Sequence, residues 1–253
     1  MSLCGTATRP IGKSAVSSRL RRGSAQMHAA VRAMSRSELR ADAVVHVVGL
    51  TFGVGACIAL AALALPHRNP ALLIGLGVYA TGLVAMLGCS ALYNMTAEDD
   101  PWSPTFRRLD HAAIFVMIAG TYTPFALLAI GGVYGTGLLV FVWTVATVGA
   151  VTKLVCPDRI ERISIALYLA LGWSIVTGIG PLVTSLSPAG VTLIAAGGLL
   201  YSVGIVFHVW KRLPYNNAIW HVFVLAGAIC HFAAVVGDVA VAYPAIEVAR
   251  AAD

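Results

Sequence analysis

Apolar residues run in seven blocks, near 43–65, 71–93, 110–131, 134–155, 163–184, 189–210 and 218–243. Each is close to the roughly 20 residues that an α-helix needs to cross a bilayer. The blocks are too long for strands and too uniformly apolar for one-faced surface helices. Turn and break signals separate them: Pro66 to Pro70, Glu98 to Pro104, Gly131-Gly132, Pro157-Asp158, Ser185 to Pro188, and Lys211 to Pro214. The pattern predicts an all-α integral membrane fold, a seven-helix bundle over residues 38–246. A tail of residues 1–37 precedes it and a short tail of 247–253 follows. No internal repeat stands out, which weighs against a transporter built from two matching halves.

Composition supports this class. Of 253 residues, 11% are charged and 58% are hydrophobic. So few charges cannot coat a soluble globule of this size, and so much apolar residue excludes a disordered chain. The formal charge of +6 is unevenly spread. Residues 1–37 hold seven basic groups and no acid, which leaves 10 basic against 11 acidic groups in the rest, a net of −1. A cationic tail beside a first span reads as a cytoplasmic retention signal, lying at the membrane surface or disordered, and not as a nucleic-acid-binding arm. The tail lacks the apolar core of a cleavable signal. Its Arg-rich character is shared by transit peptides, and Met27 and Met34 offer later starts. An Ala/Arg/Val-rich composition points to a bacterial plasma membrane.

Orientation follows from the Lys/Arg bias. With the N-terminus inside, the tail and the 2–3, 4–5 and 6–7 loops carry 15 of the 17 basic residues, and the other side keeps Arg68 and Arg250. Seven spans then put the C-terminus outside. The five cysteines are scattered and form no CxxC, so neither a disulfide framework nor a thiolate metal site is indicated.

Polar side chains inside a membrane bundle are costly and therefore informative. Three stretches carry them, all at the cytoplasmic end. Ser90 and Asn94 lie one turn apart where span 2 closes. Asp110 and His111 open span 3, after Arg107-Arg108. Asn217 and His221 lie one turn apart where span 7 opens. Singly, each has a plain reading: interhelical hydrogen bonds, a helix cap, an interfacial histidine. Together, three helices presenting polar groups at one depth predict a shared site. Glu38, Asp42 and His46 are spaced i, i+4, i+8 at the mouth of span 1. They fit either a supporting role for that site or a solvated first turn. His231 lies about 15 Å deeper than His221, at 1.5 Å per residue, and reads as a packing histidine. His208 either snorkels or joins the site, and Asp238 reads as structural. Pro124 predicts a kink repaired by neighbouring hydroxyls. Gly197, Gly198, Ala226, Gly227 and Ala228 predict close contact of spans 6 and 7.

These stretches resemble the hemolysin III family, grouped with the progestin and adipoQ receptors, including the adiponectin receptors. The matching strings are Ser90-Ala-Leu-Tyr, Leu109-Asp-His-Ala-Ala-Ile-Phe, Ile118-Ala-Gly-Thr-Tyr-Thr-Pro-Phe125, and Ala218-Ile-Trp-His-Val-Phe-Val-Leu-Ala-Gly227 with His231-Phe232. The resemblance covers about residues 38–240. It implies a zinc site with three histidine ligands, one closing span 2 and two opening span 7. It also implies an Asp in span 3 acting through a metal-bound water. Ser90, Asp110 and His221 match the family pattern. The other two ligand positions fall on Asn94 and Asn217.

An asparagine amide lacks the lone pair of an imidazole nitrogen and offers only a neutral oxygen. The double departure predicts zinc absent or weakly bound, with His111 or His46 as substitute ligands and Asp42 in support. Three functions stay open. One is a family member with a disabled hydrolytic centre and a lipid-binding cavity. Another is an active zinc-dependent hydrolase of lipid amides or esters, ceramide-like, with a rearranged ligand set, Asp110 as base and Ser90 beside it. The third is a pore or cytolytic protein. Membrane lipids are the expected partners, nucleic acid is not expected, and oligomeric state is not readable.

Overall fold

The computed structural model describes residues 34–97, 99–160 and 163–242. The basic tail expected at 1–37, save its last four residues, and the short C-terminal tail lie outside them. Among the described residues there is no strand, and seven helices are long and apolar enough to cross a membrane. They are α1 (Arg36–His67), α2 (Pro70–Met95), α3 (Ser103–Ile130), α4 (Gly132–Val155), α5 (Ser164–Ser185), α6 (Pro188–Val209) and α7 (Asn216–Val241). The protein is an integral membrane protein. Its large outward-facing side chains, among them Val44, Ile58, Val84, Val140 and Leu199, are apolar and suit lipid contact.

The ends agree with the apolar blocks within two residues, except the starts of α1 and α3. Both begin seven residues before their blocks. Hydropathy stops at the first polar turn, but the helix does not. At α1, Ser35 and Glu38 form a capping box: the Glu38 N–H donates to the Ser35 hydroxyl, and the Ser35 N–H donates to the Glu38 carboxylate at 2.7 Å. That box lets the polar turn holding Asp42 start the helix. At α3, Pro104 in the first turn suits a helix start, where its missing N–H costs nothing.

α3 is the most enclosed helix and runs beside α2. Their backbones meet through glycines. A Cβ at Gly82 would stand 3.3 Å from the Val116 carbonyl oxygen and from Met117 Cα, and one at Gly120 would stand 3.3 Å from the Val78 oxygen. α6 and α7 are paired in the same way, with a Cβ at Gly227 standing 3.2 Å from the Gly197 oxygen. The sequence expectation for spans 6 and 7 therefore holds at Gly197 and Gly227, and Ala228 is fully buried. Gly198 instead faces Trp173 of α5.

Two irregularities shape the interior. Beyond Pro124, α3 widens into a π-helical turn, Phe125–Ile130. Proline cannot donate back along the helix, and the buried Thr123 hydroxyl, which donates to the Ala119 oxygen, accepts from Trp143 Nε1 at 3.0 Å. The second irregularity was not foreseen. α5 is not one regular helix but Ser164–Gly172, a 3₁₀ segment Trp173–Gly178, and Ile179–Ser185. Tyr122 of α3 holds the break. Its hydroxyl is shared with the Leu171 and Gly172 oxygens at 3.0 and 2.8 Å, and it accepts from the Ile175 N–H at 2.9 Å.

α5 meets α3, α4 and α6 at few points, whereas α2–α3 and α6–α7 are tight pairs. The gap between these pairs is a cavity of about 960 Å³. It reaches from Asn217 and Asp110 at one end to His231 deeper in the bundle. Fourteen residues of α7 separate Asn217 from His231, so the cavity is roughly 21 Å long at 1.5 Å per residue.

Candidate functional site

The site begins on α1. Glu38, Asp42 and His46 recur every fourth residue, so they form one stripe, continued by Gly49 and Gly53. All three are buried, at 3%, 2% and 6% exposure, which overturns the alternative of a solvated first turn. Glu38 accepts the Tyr215 backbone N–H at 2.7 Å. Tyr215 directly precedes α7 and sits in the left-handed region at φ 59°. A carboxylate in α1 therefore fixes where α7 starts, and with it the height of Asn217 and His221.

From there a continuous polar chain crosses the bundle. His221 Nδ1 donates to Asp42 Oδ1 at 2.6 Å; the acceptor is a carboxylate, so the proton is on the ring. Asn217 Nδ2 donates to Asp42 Oδ2 and to Asn94 Oδ1, each at 3.0 Å. Asn94 Nδ2 donates to the Ser90 backbone oxygen at 2.9 Å, with the Ser90 hydroxyl 3.4 Å away. The Ser90 hydroxyl in turn interacts with the Asp110 carboxylate. The His46 ring lies against His221, centroids 4.4 Å apart. α1, α7, α2 and α3 are thus tied together at one level.

The structure brings together Ser90, Asn94, Asp110, Asn217 and His221, the convergence expected from sequence. It also moves Asp42 from a supporting place to the middle of the network. His111 takes a different direction from that of a substitute ligand. Its Nδ1 lies 3.4 Å from Lys153 Nζ, and its backbone oxygen accepts from the Tyr168 hydroxyl at 2.8 Å. Lys153 itself, 1% exposed near the end of α4, was missed. Its signal was available: a lysine inside the 134–155 apolar block. His231 is a packing histidine as expected, its Nε2 3.3 Å from the Ile194 oxygen. His208 lines the cavity against the Trp220 ring. Asp238 is structural, accepting the Ser187 N–H at the start of α6.

The side chains present do not fit a metal at the positions the resemblance implies. A ligand presents a lone pair to the ion. Here Asn217 turns its N–H groups toward Asn94 and Asp42, and Asn94 spends its oxygen accepting one of them. The gap where two imidazoles and an ion would meet is closed by an amide–amide hydrogen bond. The cavity beyond is mainly apolar, with Ile118, Ile175, Val191, Val224 and Leu225 among its walls. At its polar end, Asp110, Ser90 and His221 face the same space. Such a pocket accepts a long apolar body with one polar end.

Comparison with known proteins agrees with this architecture. Residues 37–232 match the family described as Haemolysin-III related. "Hemolysin-3" of Bacillus cereus is 37% identical over 192 residues, covering 76% of this chain and 87% of that protein. "Monocyte to macrophage differentiation factor" of Homo sapiens is 27% identical over 164 residues, 62% of this chain and 67% of that protein. "Heptahelical transmembrane protein ADIPOR2" of Oryza sativa is 29% identical over 191 residues, 62% of this chain and 79% of that protein. The chain belongs to the Haemolysin-III related family.

Proposed function

We propose that this chain binds a membrane lipid in its central cavity and holds no metal at positions 94 and 217. The observation that carries the reading is the cavity itself: about 960 Å³, largely apolar, and ending on the Asp110–Ser90–Asn94–Asn217 network. An acyl chain fits the apolar length, and a hydroxyl, amide or ester head fits the polar end. The protein sits in a bacterial plasma membrane with this end toward the cytoplasm, so the lipid comes from the inner leaflet. The amide–amide closure between Asn94 and Asn217 supports the absence of metal there.

The test is lipid extraction and mass spectrometry of detergent-purified protein, beside a Thr121→Trp variant that fills the cavity at mid-depth. A stoichiometric lipid species, depleted in the variant, is the expected result. Identical lipid profiles for both proteins would remove the reading.

A second reading, hydrolysis of a lipid amide or ester, is favoured by Asp110 facing the cavity beside Ser90. Asp110 would take the proton of an attacking water as that water adds to the carbonyl, and would return it to the amine or alkoxide as the C–N or C–O bond breaks, leaving the free fatty acid. Release of fatty acid from a fluorescent ceramide, abolished in Asp110→Asn, would favour hydrolysis over binding alone.

A further inference from the structure

We propose that Asp42, His46 and His221 form a binding site for a divalent transition-metal ion, and that zinc is the ion it fits. The inference rests on the reading that positions 94 and 217 hold none. All three side chains are more than nine-tenths buried, two from α1 and one from α7. One ligand atom from each lies within 4.8 Å of the others. His46 Nε2 is buried and makes no hydrogen bond; the Asp42 Oδ2 atom, its neighbour, is 3.5 Å away. A buried imidazole nitrogen whose nearest polar contact is a carboxylate oxygen at the long limit of hydrogen bonding is poorly satisfied. An ion between the rings gives it a partner.

The donor set selects the ion. Two imidazoles and one carboxylate suit zinc and its neighbours, whereas calcium and magnesium want oxygen shells. Three protein ligands leave one of zinc's four positions open. Zinc bonds of about 2.0–2.1 Å place tetrahedral ligand atoms about 3.4 Å apart; the His46–Asp42 pair is already at 3.5 Å, and no separation in the cluster needs to shorten by more than about 1.4 Å. The Glu38–Tyr215 bond already holds α1 and α7 together at this level.

Asp42 supplies the anionic ligand among the three. Asn217 also acquires a purpose in this arrangement. It donates to Asp42 Oδ2 and so orients the ligand carboxylate, the kind of outer contact that metal sites commonly carry. The site is thus distinct from one built on positions 94 and 217. It draws on α1 where the resemblance draws on α2, and shares only His221.

The experiment is zinc content by elemental analysis of the full chain, purified in detergent, equilibrated with zinc and gel-filtered. One zinc per chain is expected. His46→Ala and Asp42→Ala lose it. Asn217→Ala weakens it by about 10–100-fold, the usual cost of an outer-shell partner. Asn94→Ala and His231→Ala keep it. Visible absorption of the cobalt-loaded unsubstituted chain needs no variant to fold, and an intense four-coordinate band is expected. A chain that holds no zinc, shows no such band, or keeps zinc in both His46→Ala and Asp42→Ala overturns the site and leaves the lipid reading standing. Zinc lost in Asn94→Ala but kept in His46→Ala overturns both the site and the claim that position 94 is metal-free.

Discussion

Asp42 holds more of the polar network than any other residue, because both carboxylate oxygens are used: Oδ1 by His221 and Oδ2 by Asn217. Removing it leaves a buried imidazole N–H and an amide N–H short of an acceptor. Each such orphan costs about 1–3 kcal/mol. Asp42→Ala is therefore expected to lower the thermal midpoint in detergent sharply. Asp42→Asn, which keeps one acceptor oxygen, is expected to lower it less. Equal midpoints for Asp42→Ala and the unsubstituted chain would mean that water takes over both bonds.

The residues of the network were not equally legible. Ser90, Asn94, Asp110, Asn217 and His221 stood out because each interrupts or borders an apolar block. Asp42 and His46 lie where a membrane helix commonly meets water, and a polar residue there has two readings until its neighbours are known. Only the fold, by setting α7 against α1 through Glu38, decided between them. Lys153 had a signal but was counted with the basic loop that follows it.

At the level of helices, what was legible was whatever depends on local composition, and what was not depends on distant partners. Seven apolar blocks became seven spans. The break in α5 has a local part, since Ser164–Ser185 is the least apolar of the seven spans and carries Gly172, Gly178, Gly180 and Pro181. Its position is set by Tyr122, some fifty residues earlier, whose hydroxyl replaces bonds that a regular helix would make internally. Tyr122→Phe leaves those backbone groups without it, at about 1–3 kcal/mol. Loss of thermal stability, with faster hydrogen exchange confined to residues 171–178, is the expected outcome. Uniform exchange along α5 would show that the break is intrinsic.

The α2–α3 crossing gives a sharper contrast. At Gly82 the atoms facing a new Cβ are backbone, which cannot rotate away. Gly82→Leu is expected to abolish the monodisperse peak on gel filtration. Gly77, on the same helix with nothing within 4 Å, tolerates alanine and gains up to about 1 kcal/mol of helix propensity.

Across the whole molecule, the spread of basic residues predicts one orientation. Among the described residues, Arg36, Arg40, Arg107, Arg108, Lys153, Lys211 and Arg212 gather at the end carrying the Asp42–Asn94 network, whereas Arg68 stands at the other. Cytoplasmic loops retain basic residues, so the network end is expected to face the cytoplasm. The lipid reading depends on this, because the polar end of the cavity then lies level with the inner leaflet's headgroups. A cysteine-free chain carrying either Arg68→Cys or Trp102→Cys tests it, since both positions are exposed and lie at opposite ends. A membrane-impermeant maleimide added to intact cells is expected to label position 68 at once, and position 102 only after the membrane is opened. The reverse pattern would turn the bundle over. The cavity's polar end would then meet the outer leaflet, and the lipid bound by the protein would have to be sought there.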